Sequence, residues 1–104
     1  MLLVNTSYVS NIELETLGLV KGSVVQSKHY GRDLMAGLKT LIGGEIKGYT
    51  EMLVEAREIA CNRMIDEARR FNADAIVNIR FATSAIMQNA AEVIVYGTAV
   101  KFKK

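Results

Sequence analysis

The sequence predicts a single α+β domain, residues 1–104, in which two helices pack on one face of a small, mainly antiparallel sheet. Three observations predict this fold. The chain has 104 residues, enough for one core of sheet and helix but not for a second domain. Half of its residues are hydrophobic and 23% are charged, a balance that excludes a disordered chain. The hydrophobic pattern changes along the chain in the order strand, strand, helix, helix, strand, strand.

The first half of the chain predicts two strands and a short helix. Residues 2–4 form a short apolar run, and residues 17–30 predict a strand that bends at Gly18 or Gly22. The period then changes to that of a helix, and Gly43 suits the position just after its end. The apolar face of this helix consists of Leu34, Met35, Leu38, Leu41 and Ile42.

The second half predicts a longer helix and two strands. The helix runs from about Thr50 to Phe71, and Asn72 is a suitable stop. Its apolar stripe consists of Met52, Leu53, Ala56, Ile59, Ala60, Met64, Ala68 and Phe71. Residues 75–82 alternate as a strand, with Val77, Ile79 and Phe81 on one face. We expect a connection over residues 83–91 and the longest strand over residues 92–102.

The last predicted strand is apolar on both faces, which is unusual for an antiparallel sheet with one wet face. Two helices cover only one side of a sheet in a chain this small. The other side would expose Ile94, Tyr96, Val100 and Phe102. A monomer rarely exposes such a patch, so we expect self-association. The alternative is a third apolar layer built by the N-terminal segment, from Leu2, Val4, Tyr8 and Ile12.

Composition limits the cellular compartment and the classes of binding partner that we expect. The only cysteine is Cys61, so no internal disulfide can form, and we expect a reducing cytoplasm. The N-terminus lacks a basic leader, and no run approaches the ~20 apolar residues of a membrane span. The net charge of +2 is too small to favour nucleic acid or an anionic membrane as a partner.

Several runs of residues resemble the YbjQ family of small bacterial and archaeal proteins. They are Gly-Arg-Asp-Leu-Met-Ala-Gly-Leu-Lys (31–39), Ile-Gly-Gly-Glu (42–45), Gly-Tyr (48–49), Ala-Arg-Glu (56–58), Ala-Asp-Ala-Ile-Val-Asn-Ile-Arg-Phe (73–81) and Tyr-Gly-Thr-Ala-Val (96–100). The resemblance covers nearly the whole chain. It departs from the family at Phe71-Asn72, where members often have Leu-Gly, and at His29-Tyr30.

The resemblance implies a dodecin-like α+β protomer that assembles into a ring, as a homopentamer. It implies no established activity and supplies no catalytic residues. Family members often carry a heavy-metal-binding label, which leaves open whether a metal binds here.

A soft metal needs three or four converging thiolates and imidazoles, and this chain offers only His29 and Cys61. A transition-metal site is therefore expected only if ring symmetry repeats one of these ligands. The simpler interpretation of Cys61 is a small, buried or half-buried side chain beside the apolar stripe. His29 is more simply a residue at a strand end or an interface. No other cofactor is predicted.

A small anion is the other candidate ligand. Gly43 and Gly44 could direct backbone N–H groups at it, with Lys47 and the start of the longer helix nearby. The alternative is a flexible connection between helices, because the glycines fit no known phosphate-binding fingerprint. Further candidate ligand-binding residues are Arg32, Asp33, Tyr49 and Arg80.

These observations favour a non-catalytic homo-oligomeric ring that acts as a binding or scaffolding module, with any ligand at subunit interfaces. The alternative is an enzyme with an intersubunit site, in which His29 is the acid or base and Gly43-Gly44 holds an anion. The small number of buried titratable groups counts against the enzyme. A third interpretation is an assembly without a small ligand that docks another protein.

Overall fold

The computed structural model describes residues 1–27, 47–87 and 90–103. These residues form an α+β fold with a mixed four-stranded sheet and one helix. The elements are β1 (Leu2–Leu3), β2 (Glu13–Ser27), α1 (Lys47–Arg70), β3 (Ala75–Met87) and β4 (Ala90–Lys103). The strand order is β1-β3-β4-β2; β1 runs parallel to β3, and the other two pairings are antiparallel. The shorter helix predicted around residues 34–42 lies outside the described residues.

Helix α1 covers one face of the sheet with a stripe of small and flexible side chains. Met52, Ala56, Ala60, Met64 and Ala68 are fully buried and recur every fourth residue, as the sequence predicted. The last four pack against buried residues of all three long strands, including Val20, Ile76, Val93 and Val95. No helix among the described residues combines the length and the apolar character needed to cross a membrane.

The helix ends where the sequence predicted. Asn72 adopts a left-handed conformation with φ of 57°, and its N–H donates to the carbonyl of Arg69. The N–H of Ala73 donates to the carbonyl of Ala68, which closes the last turn. Phe71 follows the helix and is exposed, so its predicted place in the buried stripe is wrong.

Strand β2 touches the helix main chain at Gly22. A Cβ atom added at Gly22 would lie 2.0 Å from the carbonyl oxygen of Ala60 and 2.6 Å from the amide nitrogen of Met64. Both distances are shorter than any real contact, and both atoms belong to the helix backbone. Only glycine therefore allows α1 to pack this closely on β2.

The N-terminal segment covers part of the opposite face of the sheet. Ala75, Val77 and Val100 form a second buried cluster, against which Val4, Val9, Leu14 and Phe102 pack. Val100 is only 2% exposed. Val100 and Phe102 are therefore covered in part by the N-terminal segment of the same chain, as the alternative predicted for Val4. The other three residues of that predicted layer, Leu2, Tyr8 and Ile12, are exposed, and self-association stays a prediction. Tyr96 on the same face stays 41% exposed.

A β-bulge at Asn78 changes which residues of β3 face the helix. Asn78 has φ of 55°, and the register between β3 and β4 shifts between Val77 and Arg80. As a result Val77 faces the N-terminal segment, whereas Ile79 packs against the helix-side core. The prediction that both share one face is wrong because the extra residue breaks the alternation. Gly97 lies opposite, where an added Cβ would come within 2.7 Å of the Ile76 side chain.

Strands β3 and β4 form a longer hairpin than the sequence predicted. Their pairing continues through Thr83↔Val93 and Ala85↔Ala91, so the connection predicted over residues 83–91 is wrong. This stretch pairs through its backbone, while its side chains do not alternate between apolar and polar. The molecule is elongated, measuring 58 × 24 × 17 Å, with a radius of gyration of 17.4 Å. A compact chain of this length would have a radius of about 13 Å.

Candidate functional site

A mostly apolar cleft lies where the N-terminal segment, α1 and β3 meet. It has a volume of about 280 Å³ and is lined by Leu3, Val4, Asn5, Cys61, Ile79 and Phe81. The bulge at Asn78 creates part of this lining, because it turns Ile79 toward the helix. The cleft is thus built from three segments that are far apart in the sequence.

Cys61 contributes a free thiol to the lining of the cleft. Its side chain is half-buried, as the sequence predicted, and it forms no disulfide. Burial raises the pKa of the Cys61 thiol above its ordinary value. The thiol is therefore protonated at neutral pH, and it is a poorer nucleophile and metal ligand than an exposed cysteine.

The cleft of one copy does not suit a soft metal ion. Apart from the thiol of Cys61, its lining offers only the amide and backbone groups of Asn5 and the backbone of its neighbours. Among residues 1–27, 47–87 and 90–103 no group of three or more His, Cys, Asp or Glu side chains converges. Such an ion needs three or four suitable donors. His29 lies outside the described residues, so the predicted role of either residue as a symmetry-repeated ligand stays a prediction.

Arg80 connects the N-terminal segment to β3 through hydrogen bonds. Its Nη1 atom donates hydrogen bonds to the carbonyls of Asn5 and Ile79, each at 3.0 Å. A guanidinium has five N–H donors, and Arg80 is exposed, so further donors face solvent. Arg80 thus has a structural role, and its predicted role in ligand binding stays a prediction.

The other predicted ligand residues are not gathered at this cleft. Lys47 opens α1, and Tyr49 is half-buried in the first turn. Tyr49 precedes Cys61 by twelve positions in the helix, a distance of about 18 Å along the axis. The structure therefore places Tyr49 away from the cleft. Arg32, Asp33, Gly43 and Gly44 lie outside the described residues.

A second, charged groove lies between α1 and the outer edge of β2, and sequence reasoning missed it. It has a volume of about 350 Å³ and is lined by Lys21, Gly22, Ser23, Arg63, Asp66, Glu67 and Arg70. Arg63 Nη1 donates to the Ser23 carbonyl at 2.6 Å, and the Lys21 N–H donates to Glu67 Oε1 at 3.3 Å. In the sequence, the i, i+4 spacing of Arg63 and Glu67 shows only that they share a helix face. Because it does not show that this face turns toward the edge of β2, the groove could not be predicted.

Comparison with known proteins identifies the relatives of this chain. A family model described as "Putative heavy-metal-binding" matches residues 1–103. A UPF0145 protein of Clostridium novyi is 66% identical over 97% of this chain and 98% of its own length. A UPF0145 protein of Photobacterium profundum is also 66% identical, over 97% of this chain and 99% of its own length.

A solved structure shows the same fold. It is a protein of unknown function from Pediococcus pentosaceus, assigned to the DUF74 family, and it superposes with a TM-score of 0.68. The match covers 99% of this chain and 98% of that chain at 14% identity. With the family model matching almost every residue and relatives matching over their full length, the chain belongs to the YbjQ family, whose members include the UPF0145 proteins.

Proposed function

We propose that the protein is a non-catalytic homo-oligomeric ring that acts as a binding or scaffolding module. The observation that carries this proposal is the exposed apolar surface at one end of the sheet. Val25 on β2 is 62% exposed and Met87 on β3 is 68% exposed. Both pair next to the start of β4, at Glu92 and Ala90, so they lie at the same end. Ile86 is a further exposed apolar residue there.

This surface differs from that of an ordinary soluble monomer. No charged residue occurs between Arg80 and Glu92 in the sequence. The N-terminal segment packs on the far face near Val100, away from this end of the sheet. Several large apolar residues exposed at one end of a sheet are typical of a site of association. A second copy of the chain carries the same apolar surface, so the two surfaces can pack against each other.

The subunit number of five is taken from the family resemblance. We place the ligand, a metal or a small anion, between neighbouring copies. One copy brings a single cysteine and a single histidine, and the described cleft does not hold a second soft donor. A ring repeats each donor around its axis, so it supplies the number of ligands that one copy lacks.

Light scattering after gel filtration at micromolar concentration tests the assembly. Five copies of the 11.5 kDa chain would give a mass of roughly 58 kDa. A mass of one chain at all concentrations would contradict the proposal. Thermal shift against zinc, copper, cadmium and phosphate then tests the ligand, because a bound ligand raises the melting temperature.

The enzyme alternative has a separate test. If turnover of a substrate were found and the substitution His29→Ala abolished it, the protein would be an enzyme rather than a binding module. Tight binding without turnover would support the module.

A further inference from the structure

The two outer edges of the sheet differ in how far other parts of the chain bind their main-chain groups. On β2, the outward main-chain groups of Lys21 and Ser23 are bound by the side chains of Glu67 and Arg63 from α1. A strand from another chain cannot pair at these positions without displacing both side chains. The helix therefore closes the middle of the β2 edge.

Within the part of the chain that the structure describes, the edge of β3 is covered only along its first half. There the N-terminal segment binds it: Val4 N–H donates to the Ile76 carbonyl at 3.0 Å, and Asn78 N–H donates to the Thr6 carbonyl at 2.8 Å. The N–H of Ile79 donates to the Val4 carbonyl at 3.3 Å. This cover ends at Arg80.

Beyond Arg80 the main chain of β3 turns N–H and C=O groups outward that no described residue binds. The N–H of Lys21 and the C=O of Ser23 point away from β4. The main-chain groups of Gly22 between them therefore point toward β4, where Gly22 pairs with Val95. The main-chain groups of Val95 bond to β2, so those of its neighbour Ile94 bond to β3, where Ile94 pairs with Ala82. The N–H and C=O groups of Phe81, Thr83 and Ala85 must then point outward, and no described residue binds them.

We propose that this outer edge, at Phe81, Thr83 and Ala85, receives a strand from a second copy of the chain, so that the sheet continues between neighbours. The inference rests on the proposed homo-oligomer and names its contact. Edges of monomeric sheets usually carry lysine, proline or a covering segment, because an open edge invites pairing. The β3 edge beyond Arg80 has neither proline nor charge up to residue 91.

A second copy fits this edge better than an unrelated charged peptide. The edge offers hydrogen-bonding groups and apolar side chains but no charge that would select a complementary partner. Phe81 and Ile86 are about half exposed, and a neighbouring copy would bury them together with the backbone groups. In a ring the pairing element is a different part of the next copy. The covered middle of β2 is excluded as that element.

The experiment compares three variants at Thr83, an exposed residue whose N–H points away from β4. Thr83→Pro removes the outward N–H and leaves the pairing with β4 intact. Thr83→Lys keeps the N–H and places a charge at the edge. Thr83→Val keeps the N–H and the side-chain shape, so it is the matched control. Their masses are measured by light scattering over a dilution series, and their folds by circular dichroism.

We expect Thr83→Pro and Thr83→Lys to raise the concentration at which the assembly dissociates by about tenfold or more, and Thr83→Val to leave it unchanged. An assembled wild type whose Pro and Lys variants are folded and keep the same mass would overturn this inference and leave the oligomer standing. A monomeric wild type would overturn both.

Hydrogen exchange of the wild-type protein gives a readout that does not depend on how a variant folds. In the assembly the amides of Phe81, Thr83 and Ala85 should exchange slowly, and on dilution to the dissociated chain they should exchange fast. Fast exchange at all three amides in the assembly would refute the edge pairing.

Discussion

Replacing Gly22 by alanine should weaken the fold more than any other single methyl group added to β2. The new Cβ would lie 2.0 Å from the Ala60 carbonyl oxygen, and ordinary van der Waals contact begins near 3.4 Å. The helix backbone must therefore move away from β2 by more than about 1 Å, as in other overpacked cores. This movement loosens the contacts of Val20 and Val24 with the buried face of α1.

The expected loss of stability follows from two opposing terms. Overpacking against a rigid backbone costs about 3 kcal/mol. Alanine also restricts the unfolded chain, which offsets about 0.7 kcal/mol of that cost. The net loss of roughly 2 kcal/mol corresponds to a fall in melting temperature of roughly 10–15 °C for a chain of this length.

Thermal and urea unfolding followed by circular dichroism would measure this loss. All samples need the same protein concentration, because association shifts the apparent stability. Ser23→Ala is the control, since Ser23 is exposed and lies next to Gly22, and its backbone bond to Arg63 remains. We expect the control to stay within about 0.5 kcal/mol of the wild type. A Gly22→Ala melting temperature within 2 °C of the control, on the order of measurement error, would refute the close packing of α1 on β2.

Two further predictions concern charged and titratable groups. Asp74 accepts a hydrogen bond from the Phe102 N–H at 2.8 Å, so Asp74→Ala should cost about 1–2 kcal/mol in urea unfolding. Asp66→Ala, which removes only an exposed pair with Arg69, should change stability by less than about 0.5 kcal/mol, and equal costs for the two variants would contradict this assignment. The pKa of Cys61 is raised by burial, so the midpoint of its alkylation rate against pH should lie above that of a free cysteine peptide. Urea should lower this midpoint to the peptide value, and a native midpoint at or below the peptide value would show that the thiol is not buried as described.

The periodic parts of the fold could be predicted from the sequence. The stripe of α1 recurs every fourth residue, and the residues of β4 divide between two faces, with Val93, Val95 and Ala99 toward the helix and Val100 away from it. Both periods follow from the regular geometry of helix and strand, so they are visible in a single sequence. What covers the far side of β4 could not be decided, because a segment of the same chain and a neighbouring copy bury the same residues equally well.

The irregular parts could not be predicted. The bulge at Asn78 leaves no hydrophobic signal, yet it reverses the faces of every residue after it in β3. The outer half of β3 pairs through its backbone alone, so its side chains do not reveal a strand. The Cys61 cleft depends on the bulge, since Ile79 and Phe81 turn toward the helix only after the reversal. Half-burial of Cys61 was predictable, but its neighbours across the cleft were not.

The bulge of β3 and the glycine across from it depend on each other structurally. A side chain at Gly97 would meet the Ile76 methyl at 2.7 Å, the Val77 carbonyl at 2.9 Å and the Ile79 side chain at 3.2 Å. The bulge at Asn78 brings these three groups into the space that a side chain at Gly97 would occupy. Mutation at either position therefore changes what the other tolerates, and the energetic costs of paired substitutions there will not add. During divergence such positions have to change in step or not at all, so a historical path that altered only one of them would pass through a poorly folded intermediate.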